Sequence, residues 1–226
     1  MTAEFVEQEP EGEAPMLDVH PPHAPVHGVR DFLLHLFTIT VGLFIALSLE
    51  AMVEAMHHRH LVHQARENIR EEVKQNQETL AKDKRGLEGN KRLMAEQIAL
   101  LNAYAKNPKQ PAPGIQLPWF WNSPYSAAFD TARDTQTLAL MPYDEVQSYS
   151  ALYGQQAMVN TQASLYIRHQ TDAATPLLIH ESVSDLTPAQ LDKLVEACAV
   201  SLNDIQYTES LMVGLERGYA SLLAKE

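Results

Sequence analysis

Four histidines and a glutamate that could bind a metal ion or respond to pH lie within the ten-residue segment EAMHHRHLVH. They are Glu54, His57, His58, His60 and His63. Neutral imidazole is a good ligand for Zn²⁺, and imidazole changes its charge between about pH 5 and 8. The spacing of three residues between Glu54 and His57 is used by carboxylate–histidine metal sites in helical bundles, which take the motif from more than one helix. A metal site here would therefore need a second copy of the chain.

The simpler interpretation of this His-rich segment, which we favour, is a polar belt at the end of a membrane span. The preceding run FLLHLFTITVGLFIALSLEAMV extends from Phe32 to Val53, and its only ionisable members are His35 and Glu50. At about 1.5 Å per residue, this run is long enough to cross a hydrocarbon core of about 30 Å. We therefore predict a transmembrane helix over residues 31–56, with membrane lipid as its first partner.

Two alternatives to a membrane span fit the apolar run less well. A cleaved signal sequence would have an apolar stretch of roughly 7–15 residues and a small-residue exit. A buried helix of a soluble core would normally carry a polar face, and this run has no charged face. Within the run, Thr38, Gly42 and Ala46 recur every four residues, a pattern that lets two helices approach closely in a membrane. We take these three residues as a candidate association face.

The orientation of the span is open between two arguments. Arg30 is the one basic residue of the preceding flank, whereas Arg59, Arg66 and Arg70 follow the span, so the positive-inside rule favours a cytoplasmic C-terminal part. Against it, a bacterial chain with one span near its N-terminus is expected to keep the short tail inside and to export the remainder. We favour the second argument, which places the protein in a bacterial inner membrane with a periplasmic C-terminal part.

The residues on either side of the span divide into four further segments. Residues 1–30 are acidic and rich in proline, a composition that predicts disorder. Residues 57–105 have helical periodicity without proline, residues 106–118 (KNPKQPAPGIQLP) form a linker that cannot continue a helix, and residues 119–226 form a helical domain.

Apolar residues recur at every seventh position of the segment 57–105. They are Val73, Leu80, Leu87, Met94 and Leu101. The companion row of a coiled coil begins with Ile69 but then becomes polar, with Asn76, Asp83, Asn90 and Gln97. This half seam predicts either an amphipathic helix that packs on its own domain, which we favour, or a parallel stalk between subunits, for which the apolar row is a second candidate association face. A break near Gly86–Asn90 is an open alternative.

Helix-start signals mark the segment 119–226 and predict an all-α fold, with a transmembrane helix that continues into a long amphipathic helix and then a small bundle. Ser123-Pro124 predicts one helix start, and Pro142 predicts another helix that reaches about Ala174. Thr187 and Gln190 form a capping box with proline at the first helical position. No alternating pattern of useful length predicts a strand.

Composition and motifs exclude several classes of function. Seventeen basic residues against 29 acidic ones give a net charge of −12 and no basic stripe, so nucleic acid is not an expected partner. The chain contains no G-x-S-x-G, P-loop, H-E-x-x-H or C-x-x-C motif, and Cys198 lies at a core position without an evident base. We therefore predict that the protein is not an enzyme and has no cofactor.

The stretch RDFLLHLFTITVGLFIALSLEAMVEAMHHRHLVHQARENIREEV resembles a family of uncharacterised bacterial single-pass inner-membrane proteins. Family members share a G-L-x-I-A-L-x-L-E span end, a His-rich junction and a long helix, and FDTARDTQTLALMPYDEVQSYSALYGQQ is similar to their second recurrent region. The resemblance implies an α-helical inner-membrane protein and transfers no catalytic residue.

These observations together predict a membrane-anchored helical interaction or scaffold protein that associates with further copies of itself. The alternative is a sensor subunit of the cell envelope, in which the His/Glu segment responds to pH or to a metal. The sequence indicates no specific partner protein for either function.

Overall fold

The computed structural model describes residues 28–117 and 120–224, and throughout these ranges it contains helices and no strand. The prediction of an all-α fold is therefore confirmed. Most of the predicted acidic tail, residues 1–27, lies outside the described residues, as does Trp119. The α-helices of the described residues are α1 (Val29–Lys106), α2 (Ala127–Asp134), α3 (Tyr143–Ile179) and α4 (Pro188–Leu223), with short 3-10 helices at Thr137–Leu140 and Val183–Asp185.

The chain divides into two units between Val53 and Glu54. In the first unit, the apolar side chains from Phe32 to Val53 are exposed, and α1 is the one helix among the described residues that is long and apolar enough to span a membrane. The hydroxyl groups of Thr38 and Thr40 donate hydrogen bonds of 2.9 Å and 2.7 Å to the carbonyl oxygens four residues earlier. These two hydroxyls therefore present no unpaired donor to an apolar surrounding.

The second unit is a bundle built from the later part of α1 together with α3 and α4. Arg66 contacts Glu145 and Asn90 contacts Tyr166, so α1 and α3 run in parallel. Lys84 pairs with Glu216 at 3.0 Å, and Lys91 pairs with Glu209 at 2.6 Å. The later of the two α1 residues, Lys91, pairs with the earlier α4 residue, Glu209, so α4 runs antiparallel to α1.

The parallel arrangement of α1 and α3 requires a connection that returns along the bundle. The connection is formed by residues 107–126, and we call its described parts, residues 107–117 and 120–126, the strap. It ends at α2, which leads through a 3-10 turn into α3. The antiparallel connection from α3 to α4 is much shorter, and it carries the predicted Thr187–Gln190 capping box, with Pro188 as the first residue of α4.

Two glycines let α3 and α4 pack closely together. A Cβ atom on Gly218 would lie 2.7 Å from Cδ1 of the buried Leu152, and one on Gly214 would overlap the side-chain amide of Gln155. Glycines four residues apart lie on one helix face, so they form a shallow strip into which the α3 side chains fit.

Two predicted helix bounds and one predicted break differ from the structure. The helix expected at Ser123-Pro124 begins instead at Ala127, with Ser126 at its cap. The helix from Tyr143 continues through Pro176 to Ile179, and Leu177 of this extension packs against the second core cluster. The alternative of a break near Gly86–Asn90 is wrong, because α1 is continuous through these residues.

We expect Gly218→Ala to destabilise the bundle by about 1 kcal/mol. The new methyl group meets buried Leu152, and overpacking of this kind costs about 1–3 kcal/mol, against which the alanine gains helix propensity. Gly154→Ala is the matched control, because Gly154 lies in the interior of α3 with open space around its Cα. The control should gain about 0.5–1 kcal/mol. Urea unfolding of the full chain in detergent, followed by tryptophan fluorescence, measures both variants. Equal effects of the two substitutions would contradict the close packing.

Candidate interaction sites

The apolar heptad row of α1 lies inside the bundle of its own chain. Val73, Leu87, Met94 and Leu101 have no exposed surface, and Leu80 is 6% exposed. Val73, Leu80 and Leu87 belong to a core cluster with residues of α3 and α4 such as Tyr166 and Ile205. Met94 and Leu101 belong to a second cluster with α4 residues such as Leu194.

This burial agrees with the interpretation we favoured, an amphipathic helix that packs on its own domain, and a stalk between subunits through this row stays a prediction. In this fold, the α3 and α4 helices of the same chain cover all five side chains, so the row offers no free surface. The predicted long helix of residues 57–105 and the predicted helical domain of residues 119–226 lie in one compact unit that begins at Glu54. The physical reason is that residues 107–117, where a linker was expected, fold back along α1 and pair with it at Gln116.

The polar companion row of α1 holds the strap in place. The row comprises side chains at seven-residue intervals that hydrogen-bond the strap or the helices beyond it, namely Asn76, Asp83, Asn90 and Gln97. Glu72, four residues before Asn76, adds a fifth side chain of this kind. Asn76, Asp83 and Gln97 are each at most 2% exposed. We call these five residues the polar ladder.

Two amides of the polar ladder each pair with both backbone groups of one strap residue. The Asn76 side chain accepts a hydrogen bond from the Tyr125 amide nitrogen and donates one to the Tyr125 carbonyl oxygen, both at 2.7 Å. Gln97 pairs with Gln116 in the same arrangement. Its Oε1 accepts a hydrogen bond from the Gln116 nitrogen at 2.8 Å, and its Nε2 donates one to the Gln116 carbonyl oxygen. A primary amide carries a carbonyl acceptor and two N–H donors, so one side chain can pair with both the N–H and the C=O of a single extended residue, as a neighbouring strand would.

The carboxylates of the polar ladder accept hydrogen bonds from N–H and O–H groups. Asp83 accepts from the backbone nitrogen and the side-chain amide of Asn122, the latter at 2.7 Å. Glu72 accepts from the Ala128 nitrogen at 2.8 Å and from the Tyr153 hydroxyl at 2.6 Å. Burial raises the pKa of Asp83, and the Asn122 hydrogen bonds offset this only in part. Burial and the neighbouring Glu72 likewise raise the pKa of Tyr153.

The distance between neighbouring polar-ladder residues along α1 matches the distance between their partners along an extended strap. Asp83 and Asn76 are seven helical residues apart, which is about 10 Å at 1.5 Å per residue. Their partners Asn122 and Tyr125 are three residues apart, which is also about 10 Å for an extended chain. Asn76 pairs with both backbone groups of Tyr125, which precedes the cap residue Ser126, and α2 begins after the predicted start, at Ala127.

The His-rich segment is an exposed stretch of α1 in the second unit. His57, His60 and His63 are exposed and His58 is half-buried. Glu54 approaches His58 at 3.8 Å, four residues along the helix, and does not pair with His57 as the spacing suggested. Among the described residues, no three His, Cys, Asp or Glu side chains of one chain converge on a point that could hold a metal ion. A metal site at these residues stays a prediction that requires a second chain.

The small-residue face of the first unit is fully accessible. Thr38, Gly42 and Ala46 are all exposed, and a Cβ added to Gly42 would meet nothing within 4 Å. The space that a second helix would need is therefore present.

A groove of about 870 Å³ lies where α3 begins and α4 ends. Arg66 closes part of it through a two-pronged pair with Glu145, at 2.7 Å and 2.6 Å. Tyr149 donates to the same carboxylate at 3.0 Å, and burial together with this carboxylate raises the pKa of Tyr149 to about 12. Arg66 and Glu145 of the groove lining are thus paired with each other, and Arg70 donates a hydrogen bond of 3.1 Å to the Leu223 carbonyl oxygen.

Cys198 packs in the second core cluster, as its heptad position predicted. Burial raises the pKa of its thiol to about 11, so the thiol is protonated at neutral pH.

The comparisons with known proteins return nothing for this chain: no protein-family model, curated protein or solved structure matches it.

We expect Asp83→Asn to stabilise the bundle at pH 7 and to lose this advantage in acid. The folded-state pKa of Asp83 lies above its unfolded value of 3.8, so the folded state binds the proton more tightly and the wild type loses stability as the pH rises through this range. Asparagine keeps an acceptor for Asn122 without a buried charge.

Urea unfolding at several pH values between 4 and about 7 measures this difference between wild type and variant. Asp134→Asn is the control, because Asp134 is exposed and pairs only along the surface with Arg133. A stability difference for Asp83→Asn that stays constant over this pH range would contradict the assignment.

Proposed function

We propose that this protein is a membrane-anchored helical interaction module that associates with further copies of itself. The observation that supports it most directly is the exposed apolar surface of the first unit. Phe37 and Phe44 are 68% and 65% exposed, and no part of the apolar window is buried by the chain itself. An apolar surface of this length is stable only when lipid or another protein covers it.

The small-residue face supports self-association of the anchor. Helices in lipid gain little from apolar burial alone, so their association depends on close packing at small residues. Gly42 supplies open space on the same helix face as Thr38 and Ala46. The location that we propose is a bacterial inner membrane with the second unit in the periplasm, in line with the resemblance of the span and its junction to bacterial inner-membrane proteins.

We expect Gly42→Leu to reduce the dimer fraction of the full chain in membranes at least several-fold, because a large side chain separates the two helices. Phe44→Leu is the matched control, since position 44 lies on the opposite side of the helix and should leave the dimer unchanged. Cross-linking or energy transfer between labelled copies in vesicles, with protein diluted by lipid, gives the dimer fraction. A wild type that stays monomeric at all dilutions would overturn the proposal.

A sensor function is the second candidate, and two side-chain pairs favour it. Glu54 lies 3.8 Å from His58, and His63 lies 3.6 Å from Glu67. An imidazole that carries a proton forms an ion pair with a neighbouring carboxylate, which is the chemistry that a pH response of this segment requires. The same histidines on two associated chains would also offer ligands to a divalent metal ion.

We expect the association of the full chain to change between about pH 5 and 8, and alanine at positions 57, 58, 60 and 63 to remove this change. Dimer fraction against pH, with and without Zn²⁺, measures both sensor mechanisms, and His180→Ala is the control outside the segment. Identical curves for wild type and quadruple variant, with no metal retained, would eliminate the sensor function.

A further inference from the structure

The polar ladder recognises the backbone of the strap, and this recognition does not depend on which chain supplies the strap. Asn76 and Gln97 each pair with the N–H and C=O of a single residue, and Asp83 accepts a backbone N–H. We propose that two copies of this protein exchange these segments, so that the strap and helices α2–α4 of one chain dock on α1 of the other. The proposal rests on the proposed self-association and specifies how it occurs.

The segment before the first rung is long enough for this exchange. α1 ends at Lys106, and the first rung is Gln116, so residues 107–115 are free of ladder contacts. Asn107 and Gln110 form local turn hydrogen bonds, to Ala103 and Asn107, and Ala112 and Ile115 pack against the second core cluster. Nine residues reach about 30 Å when extended, whereas packed helix axes are 8–10 Å apart. These nine residues are therefore long enough for the strap to reach the α1 helix of an adjacent chain.

The strap also contacts the helices that follow it. The Trp121 indole donates a 2.8 Å hydrogen bond to Asn160 of α3, and Trp121 packs against the core. The α3–α4 contact at Gly214 and Gly218 also lies wholly within the exchanged part. Only contacts made by α1 become contacts between chains, and their number and kind are the same in both forms.

The exchange unites two properties of α1 that otherwise conflict. Its apolar heptad row has the period of an association seam and is nevertheless buried by α3 and α4 of the same chain. In the exchanged dimer this row becomes a contact between subunits without the loss of any core packing. Anchoring both chains in one membrane raises their effective concentration, which favours the dimer over the closed monomer.

Two native ion pairs allow a test that identifies the chain on each side of the contact. Lys84–Glu216 and Lys91–Glu209 join α1 to α4 at 3.0 Å and 2.6 Å, within reach of a carbodiimide that forms an amide between them. One tagged chain carries Lys84→Arg and Lys91→Arg, and the other carries Glu209→Gln and Glu216→Gln. When the two are co-expressed, neither chain can form either amide within itself.

In the co-expressed pair, we expect mass spectrometry of the cross-linked membranes to detect the peptides in which Lys84 is joined to Glu216 and Lys91 to Glu209. Each amide would then link the two differently tagged chains. The wild type alone is the positive control, since it forms these amides in either arrangement. Dimers detected by a general lysine cross-linker, without these two peptides in the mixed pair, would overturn the exchange and leave self-association standing. No dimers at all would overturn both proposals.

Discussion

The parallel arrangement of α1 and α3 is the constraint on which the rest of the bundle depends. Two parallel helices that are neighbours in sequence need a connection as long as the helices themselves, and this connection must run over their surface with its backbone groups paired. In this protein, side chains of α1 pair with the backbone groups of the strap. Asn76, Asp83 and Gln97 replace the strand that would otherwise pair with an extended segment.

The polar ladder gives specificity at the expense of apolar burial. Polar side chains at core positions cost free energy unless every group is paired, and a fully paired row admits only one register. A slip of the strap by one residue would separate Tyr125 from Asn76 and Asn122 from Asp83 together. The buried charge of Asp83 costs folding free energy, because burial removes water from its carboxylate and only the Asn122 hydrogen bonds offset this loss.

The two units place their apolar side chains in opposite ways. In the first, large residues such as Phe37 face outward, and the threonine hydroxyls bond to their own helix. In the second, α1 becomes buried from about Val62 onward, and its outward positions are charged. The change in pattern lies within one continuous helix, which is why hydropathy locates it well. The His-rich segment occupies the exposed turns just before the first buried positions.

The sequence by itself determined the all-α class, the apolar helix at residues 31–56, the end of α1 before the proline-rich segment and the capped start of α4. These features depend on local composition and on the backbone restrictions of proline. The periodicity of Val73 and its heptad partners predicted that these residues are buried. It did not predict whether the same chain or another chain covers them. Periodicity shows that a face is buried and carries no information on its partner. The seven-residue spacing of Asn76, Asp83, Asn90 and Gln97 was the available signal for the ladder. Only the tertiary structure decided its meaning, because a side-chain amide pairs with a backbone that the fold brings to it from 19 to 49 residues away.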